Sequence, residues 1–420
     1  MRDRDLYGRI LGIQRPWIVI DVELDAADEE VRVIVEHDRS VPLRCPCCDE
    51  PASGYDTRRR HWRHLDTCQY KTILVADVPR VECSSHGVKQ IDVPWAQAGS
   101  SFTALYESLA INWLKEASFA AVARCLHLSW DEVDGIMQRA VKRGLARRQL
   151  EEPGAGAPAR LGVDETSFAK RHEYVTVVTD LDTSEVLYVG EKRTTATLET
   201  YYESLSESEL NRIEAVCMDM WPPYIKATMK HVPGAEEKIA FDKFHVAKYL
   251  GDAVDKVRRR EHRGMKRAGD DRLTGTRYLW LIHPASMKLG IWRDRFNDLR
   301  SSALQTARAW ALKETAMGLW NYVSRGWAMK AWKLWLSWAL RSRLEPMKKV
   351  ARMIRDHLKG IITAIVMTAT NAGAESINAK IQRLKRMACG YRNRERFRRA
   401  IYFHLGGLKL YPTSLTHTDS

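Results

Sequence analysis

The chain has 420 residues, 45% hydrophobic, with 67 Lys and Arg against 53 Asp and Glu, giving a formal charge of +14. No apolar run is long enough to span a bilayer, and the mixed-charge opening MRDRDLYGR is no signal peptide, so a cytoplasmic protein with no membrane partner is expected. In that reducing setting the 8 Cys are expected to be reduced, and clustered ones read better as metal ligands than as a disulfide framework. Such a basic chain favours a polyanion, and its length suits about three domains.

Residues 1–44 form an N-terminal hairpin segment, because WIVIDVELDAADEEVRVIVEHD alternates apolar and polar residues on both sides of a polar turn. Residues 45–98 are expected to form a zinc-binding module. Cys45 and Cys48 make a C-x-x-C pair and Cys83 with His86 a C-x-x-H pair, four ligands in two short loops that suit one structural Zn²⁺ in tetrahedral geometry. Cys47 lies between the ligands and Cys68 has no partner at that spacing. The strand-like segment between the pairs carries Arg58, Arg59, Arg60, Arg63 and His64 around Trp62, which mixes charge for phosphates with an aromatic surface. A solvated strand face is the alternative.

Residues 101–150 turn to helical spacing. One helix bears Val122 and Ala123, a break falls near His127, and Ser129 with Glu132 predicts a capping box opening a second helix. With Val133, Ile136 and Met137 inward, that helix is expected to turn Gln138, Arg139, Lys142 and Arg143 outward to DNA as a helix-turn-helix region; an ordinary helical hairpin fits the same spacing. EEPGAGAPAR, residues 151–160, reads as a linker.

Beyond it LGVDETSF, YVTVVTDL and EVLYVGEK predict an antiparallel meander, followed by a helix near Leu198–Leu205, the strand IEAVCMD, a helix opened by Pro222 and Pro223, and the strand KIAFD. That order is the order of an RNase H-like core, with residues 161–250 as its first part. Residues 251–346 predict an all-helical insertion, and 347–410 the second part of the core with basic C-terminal helices, before a tail at 411–420. The whole is an α/β multidomain chain. Between Tyr249 and Met347 stand 8 of its 14 Trp, at spacings that fit packing of the insertion or a partner, or stacking on bases.

Asp164 and Asp219 lie on strands that such a core places side by side, and Glu375 opens a downstream helix. Three carboxylates so placed suit two divalent cations held against a phosphodiester, since hard cations take oxygen ligands and leave room for substrate phosphates. After Glu375 come Lys380, Arg383, Lys385, Arg386, Arg392 and Arg394, read as DNA-phosphate contacts or as a solvated charged helix.

GVDETSFAKRHEYVTVVTDL, VCMDMWPPY, FDKFHVAKYL and, above all, NAGAESINAKIQRLKRMACGYRNRERFRRAI resemble the ISL-three family of bacterial insertion-sequence transposases, which are DDE enzymes. The likeness extends over nearly the whole chain, including RRRHWRHLD and VPRVEC ahead of VPWA. It implies Asp164, Asp219 and Glu375 as the catalytic, Mg²⁺-holding (or Mn²⁺-holding) triad, and Asp242 with His245 as a D-x-x-H signature whose His contacts DNA near the cut or packs structurally. It further implies binding of terminal inverted repeats, hydrolytic cleavage, and joining of the freed 3′-hydroxyl to target DNA. A homodimer or larger assembly on double-stranded DNA, associated with a bacterial nucleoid, belongs to the same expectation. Ser376 stands where the family pattern has Gly, and His86 where it has Cys. The competing readings are a non-enzymatic zinc and helix-turn-helix regulator, and a structure-selective nuclease with the same core.

Overall fold

The computed structural model describes residues 3–151, 157–169, 173–282, 290–367 and 372–412, except the side chains of 169 and 372–375. Linker residues 152–156, tail residues 413–420 and the Glu375 side chain therefore lie outside the described residues. The chain divides into two compact units, Met1–Glu151 with Leu408–Ser420, and Glu152–Gly407. No described helix is long and apolar enough to cross a membrane.

In the first unit, α1 (Asp3–Ile10) precedes a sheet of β1 (Trp17–Asp25), β2 (Glu30–His37), β3 (Ser53–Thr67), β4 (Tyr70–Cys83) and β5 (Gly87–Gln90). Its order is β1-β2-β4-β3 with β5 also on β4. The predicted hairpin is β1–β2, and β2 runs parallel to β4, which joins it to the same sheet as the strand that ends in Cys83. The β3–β4 turn places Cys68 and Gln69 at φ 51° and 74°, the two positive values a tight two-residue hairpin turn needs. Val31, Val33 and Val35 alternate inward with Leu74, Ala76 and Val78. Trp95 completes this core, its ring edge-on to Trp17 at 5.0 Å and to Trp62 at 5.4 Å. Trp62, expected as a nucleic-acid surface, is thus a core residue at 2% exposure. Period-two alternation on β3 turns Trp62 and His64 inward together, so burial takes the aromatic away from solvent.

Three helices follow: α2 (Ala104–Glu116), α3 (Phe119–Cys125) and α4 (Trp130–Glu151). Thr103 and Ser118 cap the first two. His127 turns the chain at φ 53°, and the predicted capping box forms, Ser129 N–H donating to Glu132 Oε2 at 2.7 Å and Glu132 N–H to Ser129 Oγ at 3.3 Å.

The second unit carries a mixed sheet of β6 (Arg160–Ala169), β7 (Glu173–Asp180), β8 (Val186–Glu191), β9 (Ala215–Met218) and β10 (Ile239–Phe241), in the order β10-β9-β6-β7-β8. The meander β6–β7–β8 is antiparallel as its alternation predicts, while β9 joins β6, and β10 joins β9, in parallel. Parallel neighbours need crossovers. These are supplied by α5 (Thr195–Glu203) with α6 (Glu207–Arg212) before β9, and α7 (Pro222–His231) with α8 (Ala235–Lys238) before β10. Beyond β10 the chain is helical: α9 (Lys243–Arg267), α10 (Arg277–Leu281), α11 (Ile291–Ser301), α12 (Gln305–Gly318), α13 (Arg325–Arg341), α14 (Glu345–Asp356), α15 (Leu358–Val366), α16 (Ala372–Met387) and α17 (Arg394–Leu405). Trp280, Trp310, Trp332 and Trp335 pack its core with Trp320 against them, whereas Trp292, Trp327 and Trp338 are exposed. Helix α15 lies directly on β10. A Cβ at Gly360 would stand 2.5 Å from the Phe241 ring, so that approach requires glycine.

Candidate functional site

Strands β6 and β9 pair with Val163 opposite Met218, so the next residues, Asp164 and Asp219, emerge side by side. The sheet thus brings together two carboxylates that are 55 positions apart in sequence. Asp164 Oδ1 accepts the Glu165 N–H at 2.7 Å, and Oδ2 accepts from Asn378 Nδ2 at 2.6 Å. Asp219 Oδ1 accepts the Met220 N–H at 2.6 Å. Asp242 caps α9 by accepting the Phe244 N–H, and His245, one turn on, faces both acids: Nδ1 is 3.3 Å from Asp242 Oδ2 and Nε2 3.8 Å from Asp219 Oδ2. Neither His245 Nδ1 nor Asp242 Oδ2 completes a hydrogen bond, although both are buried.

Burial pushes the Asp164 carboxyl up to about 6, against the opposing pull of the Glu165 N–H and His245. His245 rises above its ordinary value, first because of Asp242 and against burial. The site thus offers carboxylate oxygens of Asp164 and Asp219 side by side, the hard oxygen donors that a divalent cation takes. Glu375 lies on the first turn of α16 by backbone, three residues ahead of Asn378, with its side chain outside the described residues.

The second cluster is closed. Cys45, Cys48, Cys83 and His86 bring their ligand atoms within 4.8 Å of one another. Cys48 Sγ to Cys83 Sγ is 3.8 Å, and His86 Nδ1 stands 3.6 Å from Cys83 Sγ and 3.8 Å from Cys45 Sγ. Tetrahedral zinc with Zn–S of about 2.3 Å and Zn–N of about 2.0 Å requires S···S edges of roughly 3.8 Å and S···N edges of roughly 3.5 Å, so the donors fit the ion. The Cys45 thiol is drawn down to about 6, first by the Cys47 backbone N–H, which favours the thiolate a metal needs. Cys47 is exposed and outside the set.

The basic residues divide by partner. Gln138 and Lys142 are exposed on α4 as expected, but Arg139 and Arg143 turn inward. Arg139 Nε donates to Glu107 Oε1 at 2.6 Å, and Arg143 Nη2 lies 3.5 Å from Glu107 Oε2 and donates to the Leu410 carbonyl at 2.8 Å. Glu107 is 1% exposed, and a buried carboxylate requires such cations. On β3, Arg59 forms a two-pronged pair with Asp77, Arg63 pairs with Asp66 over the Tyr106 ring, and Arg60 leans on Trp62 and Gln90, whereas Arg58 is exposed. Lys385 Nζ donates to the Ser167 carbonyl at 2.6 Å, and Arg394 pairs with Glu173 at 3.1 Å. Arg59, Arg139, Arg143, Arg394 and Lys385 differ from the outward, phosphate-facing expectation because acids and carbonyls distant in sequence pack beside them. Arg58, Lys142, Lys380, Arg383, Arg386 and Arg392 are exposed with no ion pair among the described residues. One feature had no sequence signal, because four separate segments build it: Arg193 is held between the rings of Tyr174 (4.4 Å) and Trp221 (4.6 Å) and pairs with Glu165 at 2.7 Å.

A closed Cys₃His cluster, a capped helix-turn-helix and two carboxylates paired across parallel strands coincide with three family profiles that define a transposase. The profile for the zinc-finger of transposase IS204/IS1001/IS1096/IS1165 matches residues 42–86, that for the helix-turn-helix domain of transposase family ISL3 matches 91–141, and the ISL3 DDE profile, described as transposase, matches 161–401. The chain belongs to the ISL3 family of transposases. It is 29% identical over 429 residues to the transposase for insertion sequence element IS1557 of Mycobacterium tuberculosis, covering 94% of this chain and 93% of the relative. To the transposase for insertion sequence element IS1001 of Bordetella parapertussis it is 27% identical over 346 residues, 82% of this chain and 84% of that one.

Proposed function

We propose that the protein binds the terminal inverted repeats of an insertion sequence, cleaves DNA hydrolytically, and joins the 3′-hydroxyl to target DNA. The observation that carries this reading is the pairing of Asp164 with Asp219 at neighbouring parallel strands, with α16 bonded to Asp164 through Asn378. In this reading the mixed sheet is an RNase H-like core, interrupted between residues 251 and 346 by a helical insertion. Asp164, Asp219 and Glu375 would together hold two divalent cations, Mg²⁺ or Mn²⁺. Cations so held supply charge stabilisation to the attacking and leaving oxygens of an in-line displacement. His245, whose pKa is raised first by Asp242, lies 3.3 Å from Asp242 and 3.8 Å from Asp219 and would stand near the cut strand.

The zinc module and helix-turn-helix position the end DNA, with Gln138, Lys142 and Arg58 toward it and Lys380, Arg383, Arg386 and Arg392 on phosphates near the cut. Two ends must be held at once, so the working form is a homodimer or larger. Incubating the protein with labelled element ends, target plasmid and Mg²⁺ tests this. Joined product supports the proposal, cleavage without joining replaces strand transfer with a nuclease, and intact DNA overturns the enzymatic reading.

A further inference from the structure

Helix α16 meets β6 through three polar side chains on one face. Asn378 donates to Asp164 Oδ2 at 2.6 Å, Gln382 Nε2 to Thr166 Oγ1 at 3.0 Å, and Lys385 Nζ to the Ser167 carbonyl at 2.6 Å. The spacings match. From Asn378 to Lys385 a helix advances about 10.5 Å at ~1.5 Å per residue, and from Asp164 to Ser167 a strand advances about 10 Å at ~3.3 Å per residue. Buried Ile377 and Ile381 hold the same helix down by apolar packing, which tolerates sliding; the three donors do not, since a displacement of one residue breaks all of them. Asp164 has Oδ1 tied to its neighbour's N–H and Oδ2 tied to Asn378, so its carboxylate plane is set from both sides before any ligand arrives.

We propose that Asn378 is a positioning residue: it fixes the orientation of the Asp164 carboxylate toward a divalent cation, while Gln382 and Lys385 hold α16 in the register that makes this possible. The inference rests on the reading of Asp164 as a cation ligand. Outer partners of metal-holding carboxylates typically cost about 10–100-fold in metal affinity or activity when removed. Asn378→Leu keeps the branching and heavy-atom count and removes the donor, so a role in packing alone would leave Mn²⁺ affinity unaffected.

The test is calorimetric titration of the full-length protein with Mn²⁺, alongside kcat and KM for cleavage of end DNA, in Asn378→Leu, Gln382→Leu and Asp164→Asn. Expected are Mn²⁺ affinity and kcat both lowered about 10-fold or more in Asn378→Leu, with KM for DNA unchanged, and a smaller loss of the same kind in Gln382→Leu. Should Asn378→Leu fail to fold, the Gln382→Leu loss carries the test alone, and wild-type Mn²⁺ affinity there overturns the inference. Loss of Mn²⁺ binding in Asp164→Asn with wild-type binding in Asn378→Leu overturns the positioning role and leaves the site intact. Unaltered Mn²⁺ binding in Asp164→Asn overturns the site reading and this inference together.

Discussion

Arg139 and Glu107 form a 2.6 Å ion pair inside the helix-turn-helix region, joining α4 to α2 across 32 positions of sequence. Ser100 Oγ also donates to Glu107 at 2.8 Å, so the carboxylate is enclosed by donors from several segments. Arg139 is therefore part of the packing that joins α4 to α2.

Arg139→Ala should destabilise the protein toward the lower end of the roughly 3–5 kcal/mol for breaking a buried pair, since Arg143 and Ser100 remain. Lys142→Ala should leave stability unchanged and lower the slope of log K against log salt for end-DNA binding by about 0.9. Urea unfolding and salt-dependent binding measure both. Full stability of Arg139→Ala combined with weakened DNA binding would restore Arg139 as a direct contact.

Purified protein should carry one zinc per chain, and Cys48→Ser should lose it. Structural zinc contributes an apparent ~10–16 kcal/mol in finger peptides, so the sheet around β4 should lose protease resistance while the second unit keeps it. Elemental analysis with limited proteolysis reads this, and zinc retained in Cys48→Ser would show that another donor set holds the ion.

Glu375→Gln, Asp164→Asn and Asp219→Asn should each reduce end cleavage by orders of magnitude and leave DNA affinity within a few-fold, because groups acting as one unit fail together. Gel-based cleavage and binding assays in Mg²⁺ decide it. Near wild-type cleavage by Glu375→Gln would move the third carboxylate elsewhere, Glu395 and Glu345 being the nearest glutamates to examine in sequence.

His64 is buried beside Thr103, whose Oγ1 is 2.8 Å from its Nδ1, and burial with Arg63 nearby pushes its pKa down to about 4. The unfolded chain takes up this proton near pH 6.5, whereas the folded chain refuses it until about pH 4. Stability is thus full above pH 6.5 and falls as pH drops toward 4, by up to about 3 kcal/mol. Zinc affinity is itself pH-dependent because its ligands must be deprotonated, so the measurement is the difference between wild type and His64→Gln in urea unfolding from pH 7 to 4. A parallel pH dependence in the two proteins would be inconsistent with a neutral buried His64.

The sequence by itself determined whatever short-range patterns control. Alternation gave the β1–β2 hairpin and the β6–β8 meander, the Ser129–Glu132 spacing gave a capping box, and two knuckles gave the four zinc-type ligands. The side-by-side placement of Asp164 and Asp219 was legible because the order of strands and helices marks β6 and β9 as neighbours. Only the tertiary structure decided which cations are free. Arg59, Arg139, Arg143, Lys385 and Arg394 look like Arg58 and Lys142 in sequence, yet the first five meet an acid or carbonyl from another segment. Charge is a property of the residue, whereas its availability to DNA depends on which distant partner packing brings within hydrogen-bond reach, and local spacing carries no record of that partner.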